Sequence, residues 1–207
     1  MITSMIKVYG DIFSGNCYKV KLLLSLLEVD HEWIHVDILN KETQAESFLH
    51  KNPVGKIPLV ELDKNVFLSE SNAILNYFAN GTSYLPDNNL LRAKVLQWQF
   101  FEQYSHEPFI AVARFIAKYL NMPESRVEEF KSLQVGGNKA LSIMNEQLSK
   151  TLFLVGDVYT ISDISLYGYT HVANEGGFDL LNYPYILAWI ERIKSHPKHV
   201  TIEQYLK

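Results

Sequence analysis

Apolar residues recur along this chain at two different periods, and the change of period divides it. Residues 5–9 (MIKVY) and 32–37 (EWIHVD) alternate in the manner of strands. Between them, Val20, Leu23, Leu24 and Leu27 recur at helical spacing, which predicts a helix over 16–28 with one buried face. Residues 41–49 read as a short helical segment that stops before Asn52-Pro53. The runs at 59–62 and 66–68 flank the turn residues Asp63, Lys64 and Asn65 and predict a hairpin. Helical spacing resumes from Ala73. The order is strand, helix, strand, helix, strand, strand, helix, a mixed α/β arrangement whose strand order the pattern leaves open.

Around residues 79–90 the composition shifts to Asn, Gly, Thr, Ser, Pro and Asp, which predicts a linker. Everything beyond is helical in texture. Residues 90–120 form a long segment with an expected kink at Pro108. Residues 123–150 form another, expected to be slackened by Gly136-Gly137, which no GxGxxG or Walker pattern surrounds. Thr160 to Asp163 makes a capping box with Tyr159 positioned to staple against Ile164, so Asp163 reads as structural. A last helix runs from Pro184 to about Ser195. The division expected is an α/β domain at 1–80, a linker at 81–89 and an all-helical domain at 90–207.

Composition narrows the partners. A hydrophobic share of 47% and a net charge of −4, with no basic stripe, suit a soluble globular protein and argue against nucleic acid. A single cysteine, Cys17, excludes an intrachain disulfide and a cysteine zinc cluster, so no metal is expected. Residues 1–9 carry Lys7 and read as a strand rather than a leader, and the apolar run 22–27 is too short to span a bilayer. The cytosol is the expected compartment, with no membrane partner.

Candidate chemistry concentrates at residues 52–77, NPVGKIPLVELDKNVFLSESNAILNY. Pro53 and Gly55 form turns, and Pro58 opens a strand. Ser69 is the expected N-cap of the helix that follows, whose free N–H groups and dipole would attract a carboxylate, with the Ser71 hydroxyl as a further donor. Glu70 beside it can neutralise an ammonium. This pairing suits the zwitterionic end of an amino acid. A cis Pro58 would turn the backbone N–H and C=O of Ile57 outward like a sheet edge, open to an extended peptide.

The sequence NP-G-K-IP, followed about a dozen residues later by SESNAI, resembles the glutathione-site signature of cytosolic glutathione S-transferases of the bacterial, serine-type, theta-, delta- and beta-like kind. The resemblance covers essentially the whole chain and implies a thioredoxin-like domain followed by an all-α domain. It implies that Ile57, before cis-Pro58, pairs with the cysteine of glutathione, and that Glu70 and Ser71 hold the γ-glutamyl group. Lys56, with Lys41 and His50 as less specific candidates, would meet the glycine carboxylate. Glu28 stands where the family commonly ends its first helix with glycine.

Such an enzyme must lower a thiol pKa from about 8.5 by some two units, which takes roughly 3 kcal/mol. A hydroxyl donating to the thiolate, at about 1.5–3 kcal/mol, together with a helix N-terminus, is sufficient. Ser14, just before the first helix, fits that place, and the resemblance implies the same role. Asn16 is a second donor or the cap itself. Cys17 lies near the CxxC position of thioredoxin-like oxidoreductases, without its partner, and reads either as a buried small hydrophobe or as a redox residue. The resemblance places a hydrophobic electrophile between the loop at Phe13 and the long helix after the linker, where Tyr104, His106 and Arg114 are candidate lining residues. It also implies a homodimer. The function expected is conjugation of glutathione to an electrophile. The alternatives are a glutathione-dependent disulfide or peroxide reductase at the same site, or a non-catalytic binding module of the same fold.

Overall fold

Alternate residues of the first strand enter two different cores, and this sets the layering. The computed structural model describes residues 5–206, so residues 1–4 of the expected 1–9 strand lie outside the described residues. In β1 (Ile6–Gly10), Ile6 and Val8 point to one face of the sheet and Tyr9 to the other. The first face is covered by α1 (Gly15–Leu26) and α3 (Ser71–Ala79) through Val20, Leu24 and Ile74. The second is covered by the short α2 (Glu46–Leu49), whose Phe48 packs with Tyr9, Val36 and Leu59.

The sheet has four strands in the order β2-β1-β3-β4, with β2 at His31–His35, β3 at Leu59–Asp63 and β4 at Val66–Ser69. β1 runs parallel to β2 and antiparallel to β3, and β3 pairs antiparallel with β4. The helix read at 41–49 is in fact a 3₁₀ turn, Glu42–Gln44, followed by α2. The one-sided burial expected of the first helix is also too narrow. Cys17, Tyr18, Lys19, Leu22 and Leu26 are buried as well, and the returning C-terminal segment packs along another side of the helix. There the Tyr18 hydroxyl donates to the Val200 carbonyl at 2.7 Å, and Ser25 Oγ donates to the Lys198 carbonyl at 2.9 Å.

The chain divides into two compact units, Met1–Asn80 with Pro197–Lys207, and Gly81–His196. The final residues therefore belong with the sheet, not with the helical unit to which the 90–207 reading assigned them. Within the helical unit, α4 (Asn89–Phe101) and α5 (Glu107–Arg114) are joined by a π-helical turn, Glu102–His106. Pro108 sits in the first turn of α5, directly after this π turn, where its missing N–H costs little. A second π turn, Phe115–Tyr119, follows.

The glycine pair does not slacken α6 (Val127–Leu148), which runs unbroken for 22 residues. A Cβ on Gly136 would lie 2.3 Å from the Phe109 ring, and one on Gly137 would lie 2.2 Å from Phe178. The two glycines make room for aromatic rings. Helices α7 (Ile161–Thr170) and α8 (Pro184–Lys194) complete the unit, and the capping box of Thr160 and Asp163 is formed. Tyr159 stacks on Phe153 with centroids 5.3 Å apart and meets Tyr84 edge-on. Among the described residues, no helix is long and apolar enough to cross a membrane.

Candidate functional site

One end of the sheet gathers three of the segments that the sequence marked for chemistry. Leu59 pairs with Tyr9 on one side and with Ser69 on the other. Because β3 is antiparallel to both neighbours, its start lies beside the ends of β1 and β4. Ile57-Pro58, the loop leading to Ser14, and Glu70-Ser71 therefore emerge at the same edge.

The Ile57–Pro58 peptide bond is cis. Among the described residues, the backbone N–H and C=O of Ile57 take no hydrogen-bond partner, leaving an open strand-like edge for an extended ligand. The loop before it is shaped by Asn52, which is buried. Its Nδ2 donates to the Lys56 carbonyl at 2.8 Å, and its Oδ1 accepts from the Val54 N–H at 3.2 Å. Sequence reasoning used Asn52 only to mark where the helical segment at 41–49 stops; its place before a proline and three residues ahead of Gly55 was the available signal.

The helix at 71 begins differently from the reading. β4 takes Ser69, so Ser69 does not cap α3; Glu70 does, with φ 67° and ψ 112°. A non-glycine residue in that region costs about 1–3 kcal/mol and tends to be kept where a site needs it. The Glu70 side chain is exposed and makes no capping bond, so it is available to a cation. Ser71 is 5% exposed, and its Oγ donates to Asn16 Oδ1 at 3.3 Å. As arranged, that hydroxyl hydrogen is turned to Asn16 rather than standing free for a carboxylate, and the N–H groups of the first turn of α3 remain for an anion.

On the other side of that contact, Ser14 is the N-cap of α1. Its Oγ accepts from the Cys17 N–H at 3.4 Å, a long bond that uses a lone pair and leaves the hydroxyl hydrogen able to donate elsewhere. Asp11, which is buried, holds the loop: its carboxylate accepts from the Phe13 N–H at 2.7 Å, and its carbonyl from the Ser14 N–H at 3.2 Å. Cys17 is 0% exposed, sealed under β1 where a Cβ on Gly10 would come within 2.9 Å of its Sγ. Burial pushes its thiol up to about 12, against the lowering effect of Ser14. A thiol so held is neither ionised nor reachable. Replacing Cys17 with alanine is expected to leave unchanged whichever glutathione-dependent rate, conjugation or reduction, is found, and to cost about 1 kcal/mol of stability. Steady-state rates beside a denaturant melt would show it, and a lost reductase activity would restore Cys17 as a redox residue.

The remaining candidates scatter. Lys56 is exposed beside Ile57. Lys41 is exposed with φ 60° at the start of the 3₁₀ turn, and His50 is exposed with its Nδ1 2.8 Å from the Glu46 carbonyl oxygen. Phe13 is exposed on its loop, and Tyr104 is 78% exposed on the π turn after α4. His106 and Arg114 do not line a surface. His106 is buried with Nε2 2.8 Å from Thr170 Oγ1, and Arg114, 1% exposed, donates to Glu175 Oε2 at 2.6 Å. Partial burial opposes ionisation of Glu175, yet Lys118 and Arg114 together hold its carboxyl below the usual range. Both residues serve the interior of the helical unit. Sequence periodicity placed them on the long helical segment at 90–120 but could not tell an inward face from a lining one.

Comparison with known proteins gives the family of this fold. Residues 4–80 match the glutathione S-transferase N-terminal domain, and residues 100–197 match the C-terminal domain. A crystal structure of a glutathione S-transferase from Pseudomonas fluorescens superimposes with a TM-score of 0.95 at 60% identity, covering 97% of this chain and 100% of that one. A glutathione transferase homologue from Drosophila mojavensis, solved with bound glutathione, gives a TM-score of 0.79 at 26% identity, over 97% and 93% of the two chains. The disulfide-bond oxidoreductase YfcG of Escherichia coli is 28% identical over 88% of this chain and 87% of its own. With both domains matched and the thioredoxin-like and all-helical architecture in place, this chain belongs to the glutathione S-transferase family.

Proposed function

We propose that this protein binds reduced glutathione at the open end of its sheet, ionises the thiol with the help of Ser14, and adds the thiolate to an electrophilic small molecule. The observation that carries the reading is the Ser71–Asn16 hydrogen bond, which ties the motif for the γ-glutamyl group to the first turn of α1, the helix that Ser14 caps. In this reading the γ-glutamyl carboxylate meets the α3 N-terminus and its ammonium meets Glu70. The cysteine backbone pairs with Ile57, and Lys56 approaches the glycine carboxylate, with Lys41 and His50 farther out. The glutathione sulfur then forms a bond to the electrophilic carbon, and the displaced group leaves with its electron pair. The reading includes a hydrophobic electrophile, a symmetric homodimer and a cytosolic setting.

Calorimetric titration with reduced glutathione tests it. Binding between micromolar and millimolar concentration is expected, and its absence would end the reading. The Glu70→Ala variant is expected to bind about fivefold more weakly, the loss of one partly exposed ion pair at ~1 kcal/mol. Undiminished affinity would remove Glu70 from the ammonium.

A second reading is disulfide reduction at the same site, favoured by the similarity to YfcG. With Cys17 sealed, the nucleophile would be the glutathione thiolate itself. It attacks one sulfur of the disulfide and releases the other as a thiolate, and a second glutathione resolves the mixed disulfide.

A further inference from the structure

Lys19 is an unlikely residue for its position. It is 0% exposed on α1, between Tyr18 and Val20, where an ammonium without a partner would be strongly disfavoured. Its Nζ donates to Asn16 Oδ1 at 2.7 Å, the same oxygen that accepts from Ser71 Oγ at 3.3 Å. An ammonium has donors only, and so it decides which way the Asn16 amide points. The oxygen must face Lys19 and the NH₂ must face away. Asn16 is half-buried, two residues beyond Ser14 and in contact with Ser71, and among the described residues its Nδ2 takes no partner. A carbonyl that accepts from a cation also leaves its amide hydrogens better donors.

We propose that Lys19 is a positioning residue, whose buried ammonium holds the Asn16 amide with its NH₂ directed at the glutathione sulfur beside the Ser14 hydroxyl. The inference rests on the glutathione reading above and deepens it. The thiolate is then met by two donors, one oriented by the helix cap and the other by a charge that never touches the ligand. Among the described residues, Asp11 of this loop and Lys19 and Cys17 of α1 are titratable, buried and close enough to interact.

The experiment is a pH titration of the thiolate absorbance of bound glutathione in wild type, Lys19→Met, Asn16→Ala and the double variant, with glutathione affinity measured in parallel. Lys19→Met is expected to bind glutathione within about threefold of wild type, while the bound thiol titrates about one unit higher, a tenfold loss of thiolate at neutral pH. Asn16→Ala is expected to show the same shift, and the double variant no more than Asn16→Ala alone, because one residue acts through the other. A purely structural lysine would move stability without this pattern. Should Lys19→Met not fold, Asn16→Asp decides. It keeps a partner for Lys19 but offers no N–H, so the thiol is expected to titrate at least one unit higher. A wild-type titration in Lys19→Met or Asn16→Asp, or shifts that add in the double variant, would overturn the proposal. Absence of glutathione binding in wild type would fell the parent reading as well; normal wild-type binding with an unshifted Lys19→Met fells this inference alone.

Discussion

Replacing Ser14 with alanine is expected to cut kcat/KM for conjugation at neutral pH by about 10–100-fold while glutathione affinity changes little. A hydrogen bond donated to a thiolate contributes about 1.5–3 kcal/mol, and each 1.36 kcal/mol shifts the bound thiol by one unit. The loss falls on the ionised sulfur and hardly on the peptide backbone of glutathione, which Ile57 and the α3 N-terminus would hold, so kcat carries it more than KM. The capping role of Ser14 is separable. Its bond to the Cys17 N–H is 3.4 Å long, and its removal is expected to cost no more than about 1 kcal/mol of stability. Ser14→Thr keeps the hydroxyl and is expected to recover much of the rate. Thiolate absorbance against pH, measured with bound glutathione, checks the cause directly. A Ser14→Ala enzyme with unchanged rate and unchanged thiol titration would show that Ser14 is only a cap.

How far the sequence reached depended on whether a residue's role is local. The strands and the hairpin follow from alternation and turn residues, and the capping box follows from a four-residue pattern. All of these are set by neighbours in the chain. α1 ends at Leu26, two residues before the expected end, and the cap of α3 moves by one residue to Glu70 because strand pairing through Ser69 overrode its capping preference. Lys19 and Asp11 escaped notice for a different reason. Each is a charged residue whose burial depends on what folds over it, and a lysine in YKVKLLL reads locally as solvent-facing. The same limit produced the opposite error at His106 and Arg114. These polar residues on an apolar helix looked like pocket residues, yet their partners, Thr170 and Glu175, lie more than 60 positions later in sequence. Gly136 and Gly137 likewise gain their meaning from Phe109 and Phe178. What remained hidden was long-range pairing of polar groups, for which a single sequence carries no periodic signal.

Asp163→Ala is expected to be the most damaging single change to the fold, and to damage the helical unit rather than the chemistry. The carboxylate is 0% exposed and accepts four hydrogen bonds. Oδ1 takes the Leu154 N–H at 2.9 Å and the Trp189 Nε1–H at 2.9 Å, and Oδ2 takes the Thr160 N–H at 3.0 Å and the Thr160 hydroxyl at 3.1 Å. One side chain thus joins the start of α7, the segment at Leu154 and the buried indole of α8. Alanine would leave these donors buried without an acceptor, at about 1–3 kcal/mol each, partly relieved by local adjustment; a net loss of about 3–5 kcal/mol follows. The melting temperature should fall by about 10 °C or more. Burial pushes the carboxyl from 3.8 up to about 6, against the pull of all its donors. Between those values the folded chain holds a proton that the unfolded chain has released. Asp163 therefore contributes stability that is present at low pH and is lost as pH rises through about 6. Asp163→Asn, which cannot titrate, is expected to lose this slope while keeping one acceptor, and to fall between wild type and alanine at neutral pH. Denaturant melts of the three proteins from pH 4 to pH 8 decide the matter. An alanine variant within 1 kcal/mol of wild type at pH 7 would mean that the capping box carries little of the fold, and that the donors around it find water instead.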